Sequence, residues 1–66
     1  MNGNKLKAKI IEKGLTVGGF ADLLGMDRSS LYRKLNNSQR ITIGEAMRIK
    51  EALNLTLEEA SAIFFG

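Results

Sequence analysis

Apolar residues recur along this chain at three- and four-residue spacing, and no alternating apolar run of useful length competes, so the pattern predicts an all-α fold. Leu6 and Ile10, with Ile11 partly buried, predict a first helix over 4–13 whose Lys5, Lys7, Lys9 and Glu12 face solvent. Gly14 ends it and Leu15 covers the end. Phe20, Ala21 and Leu24 mark the inner face of a second helix over 17–24, with Thr16 as its N-cap. Leu31 and Leu35 give a third helix, 28–35, one narrow apolar stripe, and residues 36–40 read as a polar loop. Thr42-Ile43-Gly44-Glu45 and Thr56-Leu57-Glu58-Glu59 are capping boxes that open helices over 42–53 and 57–64. Ile41 and Leu55, just before the caps, are placed to staple onto Ala46 and Ala60. The expectation is a compact five-helix domain spanning residues 1–66.

The middle of the chain is the most specific part. From Phe20 to Asn36 it reads as two short amphipathic helices joined by a tight glycine turn. Ala21 is small where the helices cross, and a larger side chain there would push them apart. Gly25 can take the left-handed conformation that closes the first helix and reverses the chain. Asp27 can accept from the free N–H groups of the second and complements the positive end of its dipole. With Leu31 and Leu35 inward, Arg28, Ser29, Tyr32 and Arg33 point away from the core. That is the build of a helix-turn-helix, which puts its second helix into the DNA major groove.

Composition narrows the function classes. With 66 residues there is room for one small core, a stability of ~5 kcal/mol, and no active site walled by two layers. There is no cysteine and no histidine, which removes disulfides, thiolate or imidazole zinc ligands, a Cys nucleophile and a His base. Ser29, Ser30 and Tyr32 lack any base partner except lysine, so neither an enzyme nor a cofactor or metal is expected. No apolar run approaches the roughly 20 residues of a membrane span, and no signal peptide is read before the first helix. The expected setting is the reducing cytoplasm of a bacterial host, at the nucleoid, with no membrane partner. The net charge of +3 hints at nucleic acid, and its distribution says more. Arg28, Arg33, Lys34, Arg40, Arg48 and Lys50 share a stretch whose only acid is Glu45.

These residues resemble the λ-repressor-like superfamily: the Cro and repressor proteins of temperate phages and the related bacterial XRE regulators. The match lies at the crossing alanine Ala21, the turn glycine Gly25, the apolar Met26 after it, and the following Arg28-Ser29-Ser30-Leu31. The resemblance implies a five-helix domain of this size with the motif as helices 2 and 3. Its C-terminal part is echoed by Ile43, Ala46, Ile49, Ala52, Leu53 and Leu55.

Arg28 and Arg33 are the leading base-contact candidates, because a guanidinium can donate two parallel hydrogen bonds to guanine O6 and N7; the competing reading is a solvated surface arginine. Ser29 joins them as a small hydroxyl near a base edge, or as a plain early-helix residue, and Ser30 is a phosphate-contact candidate. Tyr32 can pack on a thymine methyl, reach a phosphate or serve a protein interface. Lys34, Asn36, Asn37 and Arg40 fit phosphate contacts, or a charged solvated loop. The resemblance adds that the loop after helix 3 lies along the DNA backbone and that Asn36 matches a position often held by asparagine.

Three departures matter. Val17 stands where the family often has a glutamine that clamps a phosphate and braces helix 3. Gly18 and Gly19 follow, at ~2 kcal/mol of helix propensity against alanine, so either the backbone is closely approached there or the helix start is loose. Lys34 replaces a usually apolar residue. Val17, Gly18, Gly19 and Tyr32 therefore read as a partner-interface set, joined by Phe64 and Phe65 at an apolar C-terminus that a small domain cannot wholly bury. Two functions follow. The first is a phage-type transcriptional regulator of a lysis/lysogeny switch, reading a double-stranded operator with helix 3, as a homodimer on half-sites about 34 Å apart. The second is a modulator of repression that forms a heterocomplex with the opposing phage repressor and alters its operator binding.

Overall fold

The computed structural model describes residues 1–37 and 41–65. They form α1 (Gly3–Glu12), α2 (Val17–Leu24), α3 (Arg28–Asn37), α4 (Ile43–Ala52) and α5 (Leu57–Phe64), with no strand among the described residues. Each start has a side chain that takes up an otherwise free backbone N–H. Asn2 accepts from Lys5 at 3.1 Å, Thr16 from Gly19 at 2.9 Å and Asp27 from Ser30 at 3.2 Å. At α4 and α5 both capping boxes close in both directions. The ends of α1, α2 and α4 share one device, a left-handed residue followed by an N–H that reaches back five residues: Leu15 to Ile10, Met26 to Ala21 and Leu55 to Lys50, at 2.9–3.1 Å. At α4 the left-handed residue is Asn54, φ 51°, a stop that the apolar pattern does not signal.

α1 packs on α2, α3 and α5, while α2 packs on α3 and α4, so the two helices of the motif are held from both sides. Leu6 and Ile10 of α1, Phe20, Ala21 and Leu24 of α2, and Leu31 and Leu35 of α3 are buried together with Ile49, Leu53, Leu55 and Ile63. The two ends of the chain meet where the Asn2 N–H donates to the Ile63 carbonyl at 2.6 Å. Lys9 adds a second tie, because its ammonium donates to Glu59 on α5 and pairs with Glu12 at 2.7 Å. Its side chain is mostly covered rather than solvated as its place on the helix suggested: the aliphatic stem lies against the domain while the head reaches the two carboxylates.

Other expectations change. Ile11 is exposed, because the buried stripe of α1 is Gly3, Leu6 and Ile10 and Ile11 sits one position past its edge. Asn36 and Asn37 belong to the last turn of α3: neither glycine nor proline follows Leu35 to stop the helix, and asparagine opposes it only weakly. Residues 38–40, Arg40 included, lie outside the described residues, as does the side chain of Asn37. Val17 is 5% exposed and belongs to the core, and Gly18 is buried too, so neither offers a docking surface. The reason for Val17 lies in its register, three residues before Phe20 and four before Ala21 on the inner face of α2.

Candidate nucleic-acid interface

The interface is built from the turn outward. Gly25 has φ 67°, with its N–H on Asp22 O at 3.1 Å and the Met26 N–H on Ala21 O at 2.9 Å. These two bonds end α2 and leave Met26 half-buried against the core, so the chain re-enters helix at Arg28 with Asp27 as cap. From the far side Arg48 of α4 donates to the Leu24 carbonyl, which supplies the end of α2 with a cation at the negative pole of its dipole. Ala21 is fully buried at the α2–α3 packing, as its size requires.

On α3, Leu31 and Leu35 face inward, and Arg28, Ser29, Tyr32, Arg33 and Asn36 are exposed. Ser30 and Lys34 are half-buried at the edge of that face. Arg33 lies along the helix with its Nη2 3.4 Å from Ser30 Oγ. The two remaining cations of the helix are engaged within the domain. Lys34 pairs with Glu45 at 2.9 Å, and both are largely covered. Glu45 in turn closes the α4 capping box, and its carboxyl is held below the ordinary carboxylate range, first by Lys34 and then by the Thr42 N–H. Lys34 thus ties α3 to the start of α4, and this supplies what the narrow apolar stripe of α3 lacks. As a phosphate contact it would first have to leave Glu45.

Arg28 folds back over α2. Its Nε and Nη2 donate to the two carboxylate oxygens of Asp22 at 3.3 and 2.6 Å, the parallel geometry that a guanidinium and a carboxylate favour. The hydrogen bonds hold the Asp22 carboxyl below its ordinary range. The same side chain crosses Gly18 so closely that a Cβ there would stand 3.3 Å from Arg28 Cδ, Nε and Cζ. The choice left open for the two glycines is therefore decided at Gly18 in favour of close approach. Gly19 has a different neighbour, Thr16 Oγ1, 3.0 Å from where a Cβ would sit. Asp22 escaped sequence reasoning because it is six residues from Arg28 across a turn, a spacing with no helical meaning; Gly18 and Asp22, four apart on one face, were the visible half of the signal.

A family model described as Helix-turn-helix matches residues 6–59. The chain belongs to that helix-turn-helix family, in its XRE, λ-repressor-like branch. No curated protein and no solved structure matches the chain. The family's members are DNA-binding transcription regulators, and this helix-turn-helix protein is one of that type. The matched region takes in both helices of the motif, its turn and all of α4. Among the described residues no helix is long and apolar enough to cross a membrane.

The C-terminal candidates lie apart from the outward face of α3. Phe64 is half-buried against the core and Phe65 is 88% exposed. Phe65 borders a groove of about 320 Å³ between α4 and α5, walled by Ile43, Met47, Leu57 and Phe64, with Lys50 as its one charged wall residue among the described residues. Ile43 and Leu57 are 81% and 78% exposed, a far larger apolar surface than the C-terminal phenylalanines alone suggested. The sequence signal for it was the apolar second position of each capping box, Ile43 and Leu57, which a helix that buried this face would have covered.

Proposed function

We propose that this protein reads a double-stranded operator by laying the exposed face of α3 in the major groove. Arg33, Ser29 and Tyr32 meet base edges, while Ser30 and Asn36, with Asn37 and Arg40, follow the phosphates. The observation that carries the reading is the α3 face itself, an outward row of Ser29, Tyr32, Arg33 and Asn36 on a helix fixed by two buried leucines, the Asp27 cap and the Gly25 turn. Resemblance to Cro and repressor proteins supports a role in a phage lysis/lysogeny switch, in the host cytoplasm at the nucleoid. Selection of bound sequences from a random duplex pool tests it. The wild type is expected to enrich one motif, and Arg33→Ala to lose roughly 5- to 150-fold of the discrimination at a single base pair. Retention of the full preference by Arg33→Ala would remove α3 from the reading role.

The apolar α4–α5 face favours a protein contact, and a second copy of the chain is the occupant assigned to it. One patch carries both a projecting ring, Phe65, and a recess large enough for a ring, so a two-fold copy satisfies both at once. A two-fold copy also presents two α3 helices, which is what an operator of two half-sites about 34 Å apart requires. Phe65→Ser is expected to turn a sedimenting dimer into a monomer and to halve the enriched motif to one half-site. A wild type that is monomeric both alone and on DNA would refute the dimer. If it instead formed a stable complex with an opposing phage repressor, the modulator reading would replace it, resting on Tyr32, Gly19, Phe64 and Phe65 without Val17 or Gly18.

A further inference from the structure

Among the outward residues of α3, Arg28 differs in that its guanidinium is already held by a carboxylate. It lies across a glycine that gives it room and is gripped through two nitrogens by Asp22, so that the first residue of α3 is fastened to the middle of α2. A free base reader needs its fork of donors available for the two acceptors of a guanine edge. Here the Nε and Nη2 edge of that fork is spent on a carboxylate of the same chain, and only donors not used by Asp22 remain. The two side chains are 63% and 59% exposed, so burial does not force them together; their geometry and the bare backbone at Gly18 do.

We infer that Arg28, Asp22 and Gly18 form a clasp that sets the angle of α3 on α2, with Arg28 a positioning residue and Asp22 the residue that keeps it from reading bases. The inference rests on α3 being the reading helix. It adds that selectivity at the positions read by Arg33 and Tyr32 depends on a carboxylate that need not touch DNA. A clasp and a reader leave different marks. Loss of a reader erases preference at one base pair, whereas loss of the clasp tilts the helix and blunts preference across all of its positions.

The experiment is the same selection from a random duplex pool, run on wild type, Arg28→Ala, Arg28→Lys, Asp22→Asn, Gly18→Ala and the Arg28→Ala, Asp22→Asn double variant, each first shown to be folded by circular dichroism. Expected is a loss of selectivity of roughly 2- to 10-fold, spread over several base pairs, in each single variant. The double variant should be no worse than Arg28→Ala alone, because both changes remove one contact. Lysine should not rescue, since an ammonium cannot fill the two-nitrogen geometry. Three results would overturn the clasp: an Arg28→Ala profile altered at one base pair only, an Asp22→Asn profile identical to wild type, or full rescue by lysine. If the wild type itself enriched nothing, the reading role of α3 would fall and the clasp's role with it. A wild type that enriches a motif beside Arg28 and Asp22 variants that give one of those three results would sink the clasp alone.

Discussion

Gly18 and Gly19 sit side by side in the first turn of α2, yet alanine should act differently at the two positions. Replacing either glycine restricts the unfolded chain and, where the fold has room, stabilises by about 0.4–1 kcal/mol. At Gly18 the three atoms nearest the new Cβ all belong to the Arg28 side chain, at 3.3 Å, and an exposed, flexible arginine can move by a few tenths of an ångström. Most of the gain should survive, because an exposed ion pair contributes little to stability. At Gly19 the Cβ would lie 3.0 Å from Thr16 Oγ1, the atom that accepts the Gly19 N–H at 2.9 Å. A threonine cap is worth about 1 kcal/mol, so displacing it cancels the gain. Gly18→Ala is therefore expected to exceed Gly19→Ala by about 1 kcal/mol, which for a domain of this size separates their midpoints by roughly 4–8 °C. Thermal and urea melts followed by circular dichroism measure this. A Thr16→Ala background supplies the control: with no cap left to lose, Gly19→Ala should recover its full gain. The reasoning is refuted if Gly18→Ala is less stable than wild type, or if Gly19→Ala has the same effect with and without the threonine. With the clasp assigned above, Gly18→Ala is also the variant expected to gain stability and lose selectivity together.

Other expected outcomes follow from the same contacts. The Glu59 carboxyl is lowered from 4.5 to about 2, first by its hydrogen bond from Lys9 and then by the Thr56 N–H. A depressed carboxyl contributes stability that is complete above the unfolded value and is lost as pH falls through the folded one. Melting temperature should therefore drop between about pH 4.5 and 2, and Glu59→Gln should flatten that limb while an amide still serves the cap. Val17→Glu should destabilise the core rather than disrupt an interface, lowering the melting temperature at a cost of about 2 kcal/mol from lost burial of a valine that is 5% exposed; an unchanged melt would contradict the core placement.

The local devices were legible in the sequence because each is carried by residues close along the chain. A cap needs an oxygen three residues before its N–H, a glycine stop needs one left-handed residue, and an inner face needs spacings of three and four. Thr16, Asp27, Thr42, Thr56, Gly14 and Gly25 all stand where those rules put them. The outward set on α3 followed likewise from the positions of Leu31 and Leu35. What tertiary structure alone decided is which side chains meet across elements. Arg28 on Asp22, Lys34 on Glu45, Lys9 on Glu59 and Arg48 on the Leu24 carbonyl join residues 6, 11, 50 and 24 positions apart. No periodicity along one helix encodes such pairs, because they depend on the angle at which two helices cross and on how far a long flexible side chain can reach from it. The same crossing angles left Ile43, Leu57 and Phe65 outside. Sequence determined the helices and the outward face of α3; packing determined which of the basic side chains on that face are already held by carboxylates.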